Sequence, residues 1–205
     1  MVGIIDVGLG NTGSLKGALE SLGWDPLLVS RPEHLGPITQ LFLPGVGSFQ
    51  AAMGRLQETG LKSGISDHVR SGRPLLGICL GMQILASWGE EGGGAKGLDL
   101  IAGKVSALVP EKNIRVPHVG WNAVHQRVPH PVLRGIKSGM DYYFVHGFVF
   151  EPDQPDRILG ETEYGGRFAS MVGFENVFGV QFHPEKSQKN GLKLLDNFCQ
   201  WSGRC

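Results

Sequence analysis

The sequence predicts an α/β fold in which antiparallel strands are added to a parallel core, and three observations lead there. Through the first half of the chain, short β-rich apolar runs alternate with stretches of helical spacing. In the second half such runs follow one another with little helical pattern between them, as in a mixed sheet. The 32 glycines are about twice the usual share of roughly 7%. They show no period and gather where the apolar runs stop, as tight turns require.

Val2 to Val7 is a strand that stops at Gly8, Gly10 and Gly13, and Thr12 or Ser14 then caps a helix reaching about Leu22. Pro26 to Val29 and Gln40 to Leu43 read as the next strands. Phe49 to about Arg70 is helical material interrupted near Gly60 and Gly64, and Pro74 to Ile78 is a buried strand running into a glycine-flanked cysteine. Beyond Gly92-Gly93-Gly94 the expected strands are Lys104 to Val109, Tyr142 to Phe150, Arg157 to Thr162, Phe168 to Phe174 and Val177 to Phe182. Leu192, Leu194, Leu195, Phe198 and Trp201 have helical spacing and close the chain. No repeat or linker interrupts this order, so one domain over residues 1–205 is expected.

Lysine plus arginine (19) balances aspartate plus glutamate (19) without runs of either sign. No overall field then favours nucleic acid or an anionic membrane as a partner. Cys79, Cys199 and Cys205 are an odd set with no short-spaced pair, which argues against a disulfide framework and a structural zinc site and fits a reducing cytoplasm. Met1 to Gly10 lacks a charged leader and is too short for a signal or membrane-spanning segment.

The densest chemical signal is Pro74-Leu-Leu-Gly-Ile-Cys79-Leu-Gly81-Met-Gln83. Gly77, Cys79 and Gly81 form G-x-C-x-G between a strand and a helix, the arrangement of a nucleophile elbow. The sharp turn brings the flanking positions together, where a Cβ would clash, and presents the thiol at the apex. A helix N-terminus there favours the thiolate, and the Leu80 N–H points at a developing oxyanion. The plainer alternative is a buried structural cysteine, as most free cysteines are.

A nucleophilic cysteine needs a base, and Val180-Gln-Phe-His183-Pro-Glu185 supplies one. In extended backbone, residues two apart project to one side, so Glu185 can orient His183 while the imidazole exchanges protons with Cys79. His34, His68, His118, His125, His130 and His146 compete for the role. Most of these are expected to be surface or hydrogen-bonded structural residues, and a histidine two from a glutamate is common by chance. The elbow and the pair together are not, because each provides what the other lacks. A third element, Leu41-Phe-Leu-Pro44-Gly45-Val46-Gly47, ends a strand in a turn whose glycines ease rotation of the Val46 peptide toward an oxyanion. By itself it also reads as an ordinary glycine turn.

Together, Pro44-Gly-Val-Gly47, Gly77-Ile-Cys-Leu-Gly-Met-Gln83 and Gly179-Val-Gln-Phe-His-Pro-Glu-Lys-Ser187 resemble the class I glutamine amidotransferases. Val116-Pro-His-Val-Gly-Trp-Asn122, Tyr142-Tyr-Phe-Val-His146 and Pro184-Glu-Lys-Ser187 narrow the resemblance to the glutaminase subunits of imidazole glycerol phosphate synthases, and the Gly8-Leu-Gly-Asn11 loop agrees. The resemblance runs from the first strand to the last helix. It implies an open mixed, mostly parallel sheet flanked by helices.

It also implies Cys79 as nucleophile, His183 as base, Glu185 as its orienting acid, and Val46 and Leu80 as oxyanion donors. Gly47, Gln83 and Glu91 would hold L-glutamine, Glu91 by its charge toward the α-ammonium group, with His146, Gly147 and Phe148 alongside. The family usually carries a small hydroxyl residue and a tyrosine after this histidine, so Gly147-Phe148 leaves contacts to the glutamine carboxylate to backbone N–H groups. Asn11, Trp121, Asn122, Tyr143 and Lys186 would face or couple to the partner, a cyclase subunit with a (β/α)8 barrel, in a heterodimer. No cofactor and no metal are implied. The alternatives are the glutaminase subunit of another amidotransferase, a related γ-glutamyl peptidase, or a non-catalytic binding subunit.

Overall fold

The computed structural model describes every residue except Leu9, Pro110, Lys112, Asn113 and Cys205. Leu9 of the opening loop and the third cysteine therefore lie outside the described residues. The chain runs β1 (Val2–Ile5), α1 (Thr12–Ser21), β2 (Leu27–Val29), β3 (Gln40–Gly45), α2 (Phe49–Glu58), α3 (Leu61–Arg70), β4 (Leu75–Cys79) and α4 (Leu80–Gln83). It continues through β5 (Trp88–Gly89), β6 (Ala95–Lys96), β7 (Gly103–Ala107), β8 (His118–Gln126), β9 (Met140–His146) and β10 (Phe148–Pro152). The last elements are β11 (Ile158–Glu163), β12 (Arg167–Phe174), β13 (Val177–Val180) and α5 (Gln188–Gln200).

Nine strands form the main sheet in the order β2-β1-β3-β4-β13-β12-β11-β8-β9. The first five run parallel, and the remaining four are added antiparallel. A parallel sheet must be covered on both faces, and β1, β4 and β13 are accordingly buried along their whole length. Leu15 and Leu19 of α1 and Leu194, Leu195 and Phe198 of α5 cover one face. Phe49, Met53 and Leu56 of α2 and Leu61 and Ile65 of α3 cover the other, together with Val105 and Phe150 of a second sheet, β10-β7-β5-β6.

The antiparallel arm curls back on the parallel core. Beyond β13, the Gln181 N–H donates to the Ser170 carbonyl (3.0 Å) and the His183 N–H to the Tyr143 carbonyl (2.9 Å), so β9 ends beside the C-terminal end of β13. Phe144, Phe168 and Phe182 pack edge to face inside this curl. The end of β4, the turn after β13 and the end of β9 therefore meet at one rim.

Several local expectations change. Asn11, not Thr12 or Ser14, caps α1, its Oδ1 accepting from the Ser14 N–H at 3.2 Å. Gly60 separates α2 from α3 at φ 75°, as expected, but Gly64 lies inside α3. There a Cβ would fall 2.6 Å from Leu35 Cδ1, so Gly64 serves close packing rather than a break. The run Tyr142 to Phe150 divides at Gly147 into β9 and β10, which belong to different sheets. β8 has no counterpart among the expected strands. Among the described residues no helix is long and apolar enough to cross a membrane.

Candidate active site

The elbow forms because two neighbouring backbones crowd it. A Cβ at Gly77 would lie 2.6 Å from the Gly81 carbonyl oxygen, and one at Gly81 would lie 1.7 Å from the Leu43 carbonyl oxygen on β3. Gly81 is thus required by the adjacent strand and not only by the turn itself. Between them Cys79 adopts φ 55° and ψ −112°, a conformation costly for a non-glycine residue and held by the packing around it. The helix that follows is a single turn, Leu80–Gln83. Of its first-turn N–H groups, that of Leu80 adjoins the thiol, as the sequence led one to expect.

Cys79 is buried, and its Sγ lies 3.7 Å from the Val145 carbonyl on β9 and 3.8 Å from Gln181 Nε2. The curl brings His183 to the same rim, where its Nδ1 bonds Glu185 Oε1 at 2.8 Å with both side chains only 4% exposed. The two are not presented by one extended run: His183 is extended, but Glu185 sits in the 3-10 turn Pro184–Lys186 that Pro184 starts. With Nδ1 taken, Nε2 is left for the thiol, and that buried atom has no protein hydrogen bond of ordinary geometry. Burial by itself would lower the His183 pKa. The neighbouring Cys79 sulfur and the hydrogen-bonded Glu185 carboxylate outweigh burial and push it up to about 9.

These groups open into a cleft of roughly 290 Å³ lined by Val46 and Gly47, Cys79, Leu80 and Gln83, Glu91, Pro117, Val145 to Phe148 and His183. A buried thiol and, beside it, an imidazole with a carboxylate behind it suit acyl transfer. Comparison with known proteins then fixes the relationship. The family model "Glutamine amidotransferase class-I" matches residues 3–201. A protein of Moorella thermoacetica named imidazole glycerol phosphate synthase subunit HisH is 46% identical over 96% of this chain and 93% of its own. Prochlorococcus marinus subunit HisH 1 is 46% identical over 95% of this chain and 94% of its own, and Desulfitobacterium hafniense subunit HisH is 43% identical over 98% and 94%.

The chain belongs to the class-I glutamine amidotransferases, in their HisH branch. It is accordingly an enzyme of the glutaminase type. Solved structures share the fold of this amidotransferase: one titled glutamine amidotransferase has a TM-score of 0.77 at 21% identity, covering 99% of this chain and 100% of its own. PurLQS from Thermotoga maritima has a TM-score of 0.77 at 18% identity, covering 97% of each.

The other expected site residues fall into two places. Around the cleft, Gly47 has φ 101°, which fits glycine, and Val46 beside it is 44% exposed. Glu91 also closes α2, its Oε2 accepting from the Phe49 N–H at 2.7 Å. Gln83 Nε2 donates to the Phe148 carbonyl and to Gln181 Oε1, both at 3.1 Å. That bond turns the Gln181 Nε2 toward the Cys79 sulfur. His146 Nδ1 lies 2.9 Å from the Phe148 carbonyl.

Trp121, Tyr143 and Lys186 cluster away from the cleft. Trp121 is 48% exposed and meets the Tyr143 ring edge-on at 6.1 Å, and Lys186 Nζ lies 5.9 Å from that ring. Asn122 donates to the Glu163 carbonyl, and Asn11 is occupied with its cap. Gln181, Pro117 and Val145 were not singled out from the sequence. Gln181 lay inside a motif read for its histidine, and the other two reach the cleft only through the curl.

Proposed function

We propose that this amidotransferase hydrolyses L-glutamine to glutamate and ammonia through a thioester on Cys79 and delivers the ammonia to a synthase partner. The observation that carries the reading is the buried His183–Glu185 pair, whose imidazole lines the cleft that holds Cys79. The Cys79 thiolate attacks the side-chain carbonyl carbon of glutamine, and the oxyanion is met by the Leu80 N–H and, after rotation of its peptide, by the Val46 N–H. His183 gives its proton to the departing nitrogen, so ammonia leaves and the γ-glutamyl thioester remains. His183, now neutral, takes a proton from water as it attacks the thioester, and collapse releases glutamate and the thiolate.

Gly47, Gln83, Glu91 and the His146–Phe148 segment form the substrate walls, with Glu91 suited to the ammonium group of glutamine. The partner in this reading is the cyclase subunit of imidazole glycerol phosphate synthase, a (β/α)8 barrel docked over Trp121, Tyr143, Lys186, Asn122 and Asn11. The cyclase uses the ammonia to make imidazole glycerol phosphate and aminoimidazole carboxamide ribotide. In this reading the chain works as one domain, over residues 1–205, in the cytoplasm. The test is Cys79→Ala in the reconstituted synthase. Glutamine-dependent synthesis should fall below detection while synthesis fed by ammonium salt persists at the wild-type rate, and equal loss of both would contradict the assignment.

A further inference from the structure

A pair of buried imidazoles stands beside the catalytic one. His118 on β8 and His146 on β9 are cross-strand partners, 2% and 5% exposed, with His118 Nδ1 3.1 Å from His146 Nε2. Burial pushes both pKa values down to about 4. The His118 ring lies nearly parallel to Phe144 and Tyr164, at 4.8 and 3.8 Å between centroids, and His146 packs on Phe168 at 5.0 Å. Removal from water inside this aromatic cage, and not the aromatic faces, disfavours charge on either ring.

The proton positions follow from what each end can do. A carbonyl only accepts, so His146 Nδ1, 2.9 Å from the Phe148 oxygen, carries the hydrogen, and its Nε2 is a bare acceptor. His118 Nδ1 must then donate to it, which leaves His118 Nε2 bare as well. The other end gives the same direction independently. Asn122 Oδ1 accepts from the Ala123 N–H at 2.8 Å and its Nδ2 donates to the Glu163 carbonyl at 2.9 Å, so the amide has one orientation. Its second amide hydrogen faces His118 Nε2 at 3.5 Å, where only an acceptor fits.

We propose that His118 is a positioning residue of the glutamine pocket: through His146 it forms a one-directional hydrogen-bond relay from Asn122 on β8 to the Phe148 carbonyl on the cleft wall. The inference rests on reading the cleft as the glutamine site. The Phe148 carbonyl receives two donors, His146 and Gln83, which together fix the Phe148–Val149 peptide and so hold Phe148 in place on the cleft wall. If His118 no longer donates, His146 Nε2 is a buried orphan and the ring gains from turning or changing tautomer.

Histidine-selective 15N NMR of the wild-type chain reads the relay directly. Both residues should show a protonated Nδ1 and a bare Nε2 at pH 7, and a charged ring or an Nε2–H form at either one overturns the proposal. Glutaminase assays in the synthase complex supply the second arm. His118→Phe keeps an aromatic ring in the cage but cannot donate. It should raise the KM for glutamine about threefold to tenfold, as expected for one neutral hydrogen bond, with little change in kcat, and give His146 a mixed tautomer signal.

His118→Asn carries an amide donor near the lost Nδ1 and should restore both KM and the His146 signal. A folded His118→Phe with unchanged KM and unchanged His146 tautomer refutes the role. Should that variant not fold, the wild-type spectrum and His118→Asn still decide. A wild-type complex without glutaminase activity would sink the substrate reading of the cleft, while the tautomers would still be measured on their own.

Discussion

His183 and His146 are both buried at the rim of one cleft, yet His183 keeps its second ring proton up to pH about 9 whereas His146 takes a second one only below about 4. Burial pushes both in the same direction, toward the neutral ring. What separates them is the company: His183 has a carboxylate and a thiol, while His146 has a carbonyl, another neutral imidazole and the positive charge of His183. An imidazole's job at such a site is set by whether an anion is buried with it, not by how deeply it is buried.

Removing the anion is the strongest way to break this contrast. Glu185→Gln keeps a hydrogen-bonding group beside Nδ1 but deletes the charge, so glutaminase kcat/KM should fall roughly a thousandfold to ten-thousandfold, as when a triad carboxylate becomes an amide. The alkaline limb should move as well. In the wild type the rate falls as pH rises past about 9, where His183 loses its proton. In the variant, burial is opposed by less, and the limb shifts to lower pH. An alkaline limb that stays in place would show that Glu185 does not hold the proton on His183.

Stability against pH sharpens the comparison. His68, His118, His130 and His146 all have pKa values lowered to about 4 by burial. Their folded-state preference for the neutral ring is fully expressed above the unfolded pKa of about 6.5 and is lost as pH falls toward 4. His183 has the opposite sign: its contribution is complete below about 6.5 and is lost as pH rises through 9. Tm measured across this range should peak near pH 6.5, with the steeper fall on the acid side, where four histidines act against one. A Tm that keeps rising below pH 6 would contradict the buried neutral rings.

The smallest expected effect concerns the cage. Tyr164 Oη donates to the Arg115 carbonyl at 2.9 Å while its ring stacks on His118. Tyr164→Phe removes the first and keeps the second, so it should cost about 0.5–1.5 kcal/mol. That corresponds to a drop in Tm of roughly 2–4 °C per kcal/mol for a chain of this size, with no change in the tautomer of His118. A change in that tautomer would mean that the ring stack alone does not hold His118.

Which parts of this were legible beforehand follows from range. The run into Cys79 was readable because a fully buried parallel strand is continuously apolar and the elbow demands glycines within two residues of the nucleophile. The His183–Glu185 pair was readable because the partners are neighbours in sequence, even though a proline-started turn and not an extended strand joins them. β8 was not, since His118–Gln126 carries an outward tryptophan, an inward histidine and Gly120 at φ 141°, which blur the alternation of a half-buried strand. The break at Gly147 was hidden because both flanking strands are apolar and only their sheets differ. His118 and Gln181 gain their meaning from contacts across the curl, which local patterns do not record.

One residue clasps the curl shut. The Tyr143 carbonyl accepts the His183 N–H, and the Tyr143 N–H donates to Ser187 Oγ, which in turn donates to the His183 carbonyl at 2.6 Å. The backbone carrying the general base is thus fastened through both its amide and its carbonyl to β9, the strand at the outer edge of the sheet, whose tyrosine ring meets Trp121 of β8. A load applied at that outer edge works as a lever on the imidazole, while the sulfur stays anchored in the parallel half.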